Sequence, residues 1–118
     1  MQIQIFTAQH GSIVVAQLQG ELDDHTSDAV RTALDQALDT HQAVRLVIDL
    51  SELTFMDSSG LGVILGRFRK LKKKGGLMAV SGVSKSVKRL FEISGVHKIM
   101  SIYETCDDAI HAFKEVSR

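Results

Sequence analysis

The sequence predicts an α/β fold: a mixed, mostly parallel sheet covered by helices, with elements in the order ββαβαβαβα. Three observations carry this. Two alternating segments, 2–8 and 12–19, flank His10-Gly11-Ser12 as the arms of a β-hairpin. From residue 43 onward, short apolar runs alternate with segments of helical period, as in strand–helix–strand units with parallel neighbours and right-handed crossovers. The 118 residues, 44% hydrophobic and 24% charged, suffice for one domain spanning 1–118, without linkers, repeats or low-complexity runs.

In the second hairpin arm, Ile13, Val15 and Leu18 are placed to face a core. Gly20-Glu21-Leu22-Asp23-Asp24-His25-Thr26 reads as a polar loop ending in N-capping residue types. Ala29, Val30, Ala33, Leu34, Ala37 and Leu38 then recur at helical spacing, with Asp28, Arg31, Asp35, Gln36 and Asp39 on the other side. This amphipathic helix runs to about His41. Residues 43–50 are apolar on both faces, as a central strand is. A second helix over 58–73 buries Leu61, Ile64, Leu65, Phe68 and Leu71, and ends in cations that suit its dipole before Gly75-Gly76. Residues 77–82 form a short strand. Ser84 caps a third helix that buries Val87, Leu90, Phe91 and Ile93 and stops at Gly95. Residues 99–103 give the last strand, and 105–116 a final helix with Ala109, Ile110, Phe113 and Val116 inward.

Composition excludes several classes of function. No apolar run is long enough for a transmembrane helix, and Met1-Gln2-Ile3-Gln4-Ile5-Phe6 lacks the regions of a signal peptide. The single cysteine, Cys106, forms no internal disulfide and no multi-cysteine zinc site. A cytoplasmic protein is expected. Five histidines, never at i, i+4 spacing, give no metal site. The net charge is zero but uneven: residues 1–57 hold nine acids against two arginines, and 58–118 hold five against twelve lysines and arginines. Either the halves interleave and the charges mix, or an acidic and a basic patch face different partners. The basic run Arg67, Arg69, Lys70, Lys72, Lys73 and Lys74 lacks stacking aromatics, with one Tyr and no Trp in the chain, so neither nucleic acid nor membrane is an expected partner.

The stretch Phe55-Met56-Asp57-Ser58-Ser59-Gly60-Leu61-Gly62 stands where the most apolar strand hands over to the second helix. Asp57 or Ser58 can serve as N-cap, and the unpaired N–H groups there tolerate an anion, with Gly60 and Leu61 expected to supply them. Ser58 has no Gly-x-Ser-x-Gly elbow and no evident histidine base, so a modification switch fits it better than a nucleophile. Asp49 and Asp57 make no obvious acid–base pair. Gly60, Gly62 and Gly66 imitate a dinucleotide fingerprint, but the next strand ends Val80-Ser81-Gly82 without the required acid. Close helix packing and a backbone left bare for a partner account for these glycines better. No cofactor is expected. The alternatives from other classes are a small nucleotide-binding transferase and a structural adaptor in which Ser58 is only a cap.

Gly20-Glu21-Leu22-Asp23, the Phe55–Gly62 stretch continuing through Val63-Ile64-Leu65-Gly66-Arg67, and Val87-Lys88-Arg89-Leu90-Phe91-Glu92-Ile93-Ser94-Gly95 occur in that order. On these motifs, and over almost the whole chain, the sequence resembles the bacterial anti-sigma factor antagonists of the STAS-domain family. The nearest likeness is to the sporulation branch, antagonists of an anti-sigma F factor; the general-stress antagonists are the rival within the family. The resemblance implies a non-enzymatic partner-switching protein. Its unmodified form would bind an ATP-using anti-sigma factor serine kinase and free the sigma factor. Phosphorylation at Ser58 would release it, and a PP2C-type phosphatase would reset it. Asp57, Ser59, Gly60 and Leu61 match the surroundings of the phosphorylated serine; Asp23, with Gly62 and Arg67, is implied on the partner surface.

Overall fold

The computed structural model describes residues 1–116, with side chains through Lys114; the expected inward position of the Val116 side chain lies outside the described side chains. Its elements are β1 (Gln2–Ala8), β2 (Ile13–Leu22), α1 (Ser27–His41), β3 (Arg45–Met56), α2 (Ser58–Lys73), β4 (Leu77–Ser81), α3 (Lys85–Ser94), a 3-10 turn (Val96–Lys98), β5 (Ser101–Tyr103) and α4 (Cys106–Val116). The five strands lie in sequence order across one sheet. β1 pairs antiparallel with β2, and β2 to β5 are parallel.

Both sheet faces are covered. Val14, Ala16 and Leu18 of β2 and Leu46, Ile48 and Leu50 of β3 pack with Val30, Leu34, Leu61, Ile64 and Phe91 of α1, α2 and α3. The alternate residues Ile13, Val15, Val47 and Ala79 meet Ala109 and Phe113 of α4 on the other face. β2 and β3 are thus buried on both sides, which is why residues 43–50 read as an apolar run; β2, read as alternating, is in fact buried on both faces from Ile13 to Ala16.

Several elements differ from their sequence reading. Gly20 to Leu22 is strand, not loop, and β3 runs on through Met56. The two extensions pair, with Gly20 opposite Leu53 and Leu22 opposite Met56. Register shifts beside Gly20, at φ +115°, bend them, and the polar composition of Ser51, Glu52 and Thr54 hides a strand that tertiary pairing imposes. Ile93 is 74% exposed, because the buried stripe of α3 is Val87, Leu90 and Phe91 and Ile93 lies well around the helix from it. Ile99 precedes the last strand as the cap of the 3-10 turn and is 54% exposed. Ala29 and Val44 are exposed as well. Asp35, read as solvent-facing, is half-buried between α1 and α2, 3.3 Å from Arg67 Nε and 3.4 Å from Lys70 Nζ.

The charges sort by end of the molecule, not by half of the sequence. Parallel strands with returning helices put the helix starts at the carboxyl edge of the sheet, where Asp23, Asp24, Asp28, Asp57, Asp107 and Asp108 lie. The helix ends, with Lys70, Lys72, Lys73 and Lys114, fall at the opposite edge, so each charge complements a helix dipole. Lys85, Lys88 and Arg89 near the start of α3, Asp39 in the last turn of α1 and Glu92 in the last turn of α3 run against this sorting.

The α3 stripe is directly testable. Phe91, wholly buried, should cost about 3–5 kcal/mol as Phe91→Ala, whereas Ile93→Ala should stay within about 0.5 kcal/mol, both read by urea unfolding.

Candidate functional site

The site is built where β2, β3 and α2 meet. Asp57 is the N-cap of α2: its backbone is extended, and its carboxylate accepts the Gly60 N–H at 3.1 Å. The Leu61 N–H goes to the Asp57 carbonyl at 3.0 Å, the first intrahelical bond. Gly60 and Leu61, expected to supply N–H groups to an anion, are therefore already engaged, and both are buried. The anion-facing donors at this terminus are instead the N–H groups of Ser58 and Ser59, which have no acceptor one turn back in the helix.

Ser58 occupies the first helical position and is exposed, with no side-chain hydrogen bond among the described residues. Since Asp57 provides the cap, the Ser58 hydroxyl has no structural task. Ser59 is half-buried.

What aims Ser58 outward is the end of β2. The Asp57 N–H donates to the Leu22 carbonyl at 3.3 Å, and a Cβ on Gly60 would stand 2.5 Å from that same oxygen. Gly60 is thus required by close approach. Gly62 and Gly66 are not: an added Cβ on either meets nothing within 4 Å, so the packing expected of them is absent, and what remains is bare backbone on α2.

Asp23 adjoins this region but is turned into its own loop. Its Oδ1 accepts the N–H groups of His25 at 2.9 Å and Thr26 at 3.1 Å, while its N–H donates to Thr26 Oγ1 at 3.0 Å. It shapes the turn into α1 and leaves one carboxylate oxygen for other contacts. Gly62 is exposed on α2, whereas the Arg67 side chain is 11% exposed and directed to Asp35. The structure brings together Asp23, Asp57, Ser58, Ser59 and Gly62, and places Arg67 in the α1–α2 seam.

Two features escaped sequence reasoning. Phe55, three residues before Ser58 at the end of β3, is a 47% exposed aromatic; the sequence reading ends that strand at residue 50 and so assigns Phe55 no face. Asp49, buried in β3, accepts from Gln17 Nε2 (3.3 Å), Ser51 Oγ (3.0 Å) and Ser81 Oγ (3.2 Å), so it joins β2, β3 and β4 and is satisfied by neutral donors. An acid inside an apolar strand was the available sign. Cys106 is half-buried; desolvation, with Asp49 and Asp107 adding repulsion, pushes its thiol up, away from reactivity. Among the described residues there is no cluster able to hold a metal ion and no helix long and apolar enough to cross a membrane.

The STAS-domain family model matches residues 4–109. The chain belongs to the STAS-domain family. The STAS domain here is 46% identical over 117 residues to an anti-sigma F factor antagonist of Paenibacillus polymyxa, covering 99% of this chain and 100% of that one. It is 39% identical over 93 residues to an anti-sigma-B factor antagonist of Listeria monocytogenes, covering 79% and 78%. Among solved structures it resembles the anti-sigma factor antagonist SpoIIAA in its unphosphorylated form (TM-score 0.74, 25% identity, 98% and 97% covered). It also resembles the Bacillus cell fate determinant SpoIIAA in the phosphorylated form (TM-score 0.75, 29% identity, 95% and 99% covered).

Three substitutions separate cap, hydroxyl and bare backbone in this STAS domain. In urea unfolding, Asp57→Ala should cost about 1 kcal/mol and Ser58→Ala less than about 0.5 kcal/mol. Gly62→Ala should stabilise by about 0.5–1 kcal/mol, since it meets no obstacle in a helix.

Proposed function

We propose that this protein is an anti-sigma factor antagonist: in its unmodified form it binds an anti-sigma factor that is also an ATP-using serine kinase, and phosphorylation of Ser58 switches that binding off. A PP2C-type phosphatase reverses the modification. The cycle runs in the cytoplasm. The observation that carries this proposal is the free Ser58 hydroxyl, exposed at a helix start whose capping Asp57 has already taken over. The relatives named above support the antagonist function. The 46% identity over nearly the full chain favours the sporulation branch over the general-stress branch.

The switch follows from electrostatics. Phosphoserine adds about −1.5 to −2 charge. At the first position of α2 that charge meets the Ser58 and Ser59 N–H groups and the positive end of the helix dipole, so the fold tolerates it. Asp57, pinned on the Gly60 N–H, cannot turn away and adds like charge. Against a partner surface fitted to a neutral hydroxyl, an unpaired charge costs about 2–5 kcal/mol, roughly thirty-fold to several thousand-fold in affinity. Phe55 and the bare backbone at Gly62 supply an anchor and close approach for the kinase surface.

Calorimetric titration into the purified anti-sigma kinase tests this. Ser58→Ala should bind like the unmodified protein and resist release by ATP, Ser58→Glu should bind at least about thirty-fold more weakly, and Phe55→Ala should also lose affinity. Equal affinity of wild type and Ser58→Glu would exclude an electrostatic switch.

A further inference from the structure

The end of the molecule away from Ser58 carries a second surface, and we propose that it docks an acidic protein segment with a single apolar anchor. Lys72, Lys73, Lys74 and Lys98 are exposed, and none is in an ion pair among the described residues, whereas Lys70 is held by Asp35 at 3.4 Å. Beside these lysines a cleft of about 240 Å³ opens between the end of α2, the start of β4 and the turn after α3, with Phe68, Lys72, Leu77, Met78 and Ile99 in its wall together with Gly76 and Ser101. Lys72 Nζ stands 5.6 Å from the centroid of the Phe68 ring, at the cleft wall.

The dipole of α2 accounts for cations in its last turn. It does not account for the cleft beside them, where Phe68, Leu77, Met78 and Ile99 share the wall with Gly76 and Ser101, nor for Ile99, left 54% exposed at its rim. A segment that lays carboxylates along the lysines and sets one aliphatic or aromatic side chain in the cleft answers both features. The same positive charge rejects a basic partner. The cleft falls below the roughly 300–1,000 Å³ usual for a small-molecule site, so it suits an anchor side chain better than a cofactor.

Fifteen helical residues separate Ser58 from Lys73, about 22 Å at 1.5 Å per residue. A partner held at the lysine end therefore leaves the Ser58 face open, so the two surfaces are occupied together. The antagonist could then be carried by one acidic protein while another acts on its serine.

The test is a titration of the full ¹⁵N-labelled chain with a synthetic acidic peptide carrying one central Leu, followed by amide shifts. Saturable shifts are expected at Lys72, Gly76, Leu77 and Ile99, with none at Ser58 or Ser59. Lys72→Glu with Lys73→Glu should weaken the peptide at least tenfold, and Ile99→Ser, an exposed and therefore foldable change, should do likewise. No saturable shift, or equal binding of a peptide whose Leu is replaced by Ser, would overturn the proposal. So would flotation with phosphatidylglycerol vesicles in the absence of peptide binding, which assigns the surface to lipid. Self-association abolished by Lys72→Glu, again without peptide binding, would assign it to a second copy and equally overturn it.

Discussion

The Leu22 carbonyl is the point on which the site depends. It accepts the Asp57 N–H, and its position leaves no room for any side chain at Gly60. The end of β2 thereby sets the position and direction of the first turn of α2. Asp57 then closes the cap on the Gly60 N–H. With Asp57 and Gly60 committed and Ser59 half-buried, Ser58 is left with the exposed hydroxyl of the turn. A phosphoryl group there would stand outside the core beneath, in which Leu22, Met56 and Leu61 are buried together.

A parallel sheet with returning helices imposes the second ordering. Helix starts collect at one edge and helix ends at the other, and charges that complement helix dipoles become two opposed fields on a chain of zero net charge. Asp35, Arg67 and Lys70 form an ion-pair group in the seam between α1 and α2. Arg67 thus lies inside the fold, and α2 exposes bare backbone at Gly62 near Ser58 and a lysine-rich end far from it.

Much of this was legible in the sequence because local and tertiary preferences agree. The hairpin at His10-Gly11, the stripe of α2 and the stop at Gly75-Gly76 are short-range signals, and the structure follows them. The Ser58 turn was legible as a strand-to-helix junction, and its motif carried the family. The capping assignment was not, since Asp and Ser are equally good N-caps and only the backbone decides between them. The extensions of β2 and β3 were hidden because Gly20 and Ser51-Glu52 carry loop composition, and only their mutual pairing makes them strands. Asp35 and Arg67 looked solvent-facing because helical periodicity marks an apolar face and is silent about charges that meet at a helix–helix seam. Gly62 and Gly66 looked like packing glycines for a similar reason: spacing cannot reveal whether a neighbour is there.

The central claim, that Ser58 is the modified residue and Asp57 only its cap, is tested most directly by mass spectrometry. The purified protein is incubated with ATP and the candidate anti-sigma kinase, and intact and peptide masses are read. One added phosphoryl group on the peptide containing Ser58, lost in Ser58→Ala and retained in Ser59→Ala, is the predicted result. An active kinase that leaves the chain unmodified, or places the group on Ser59, would contradict it.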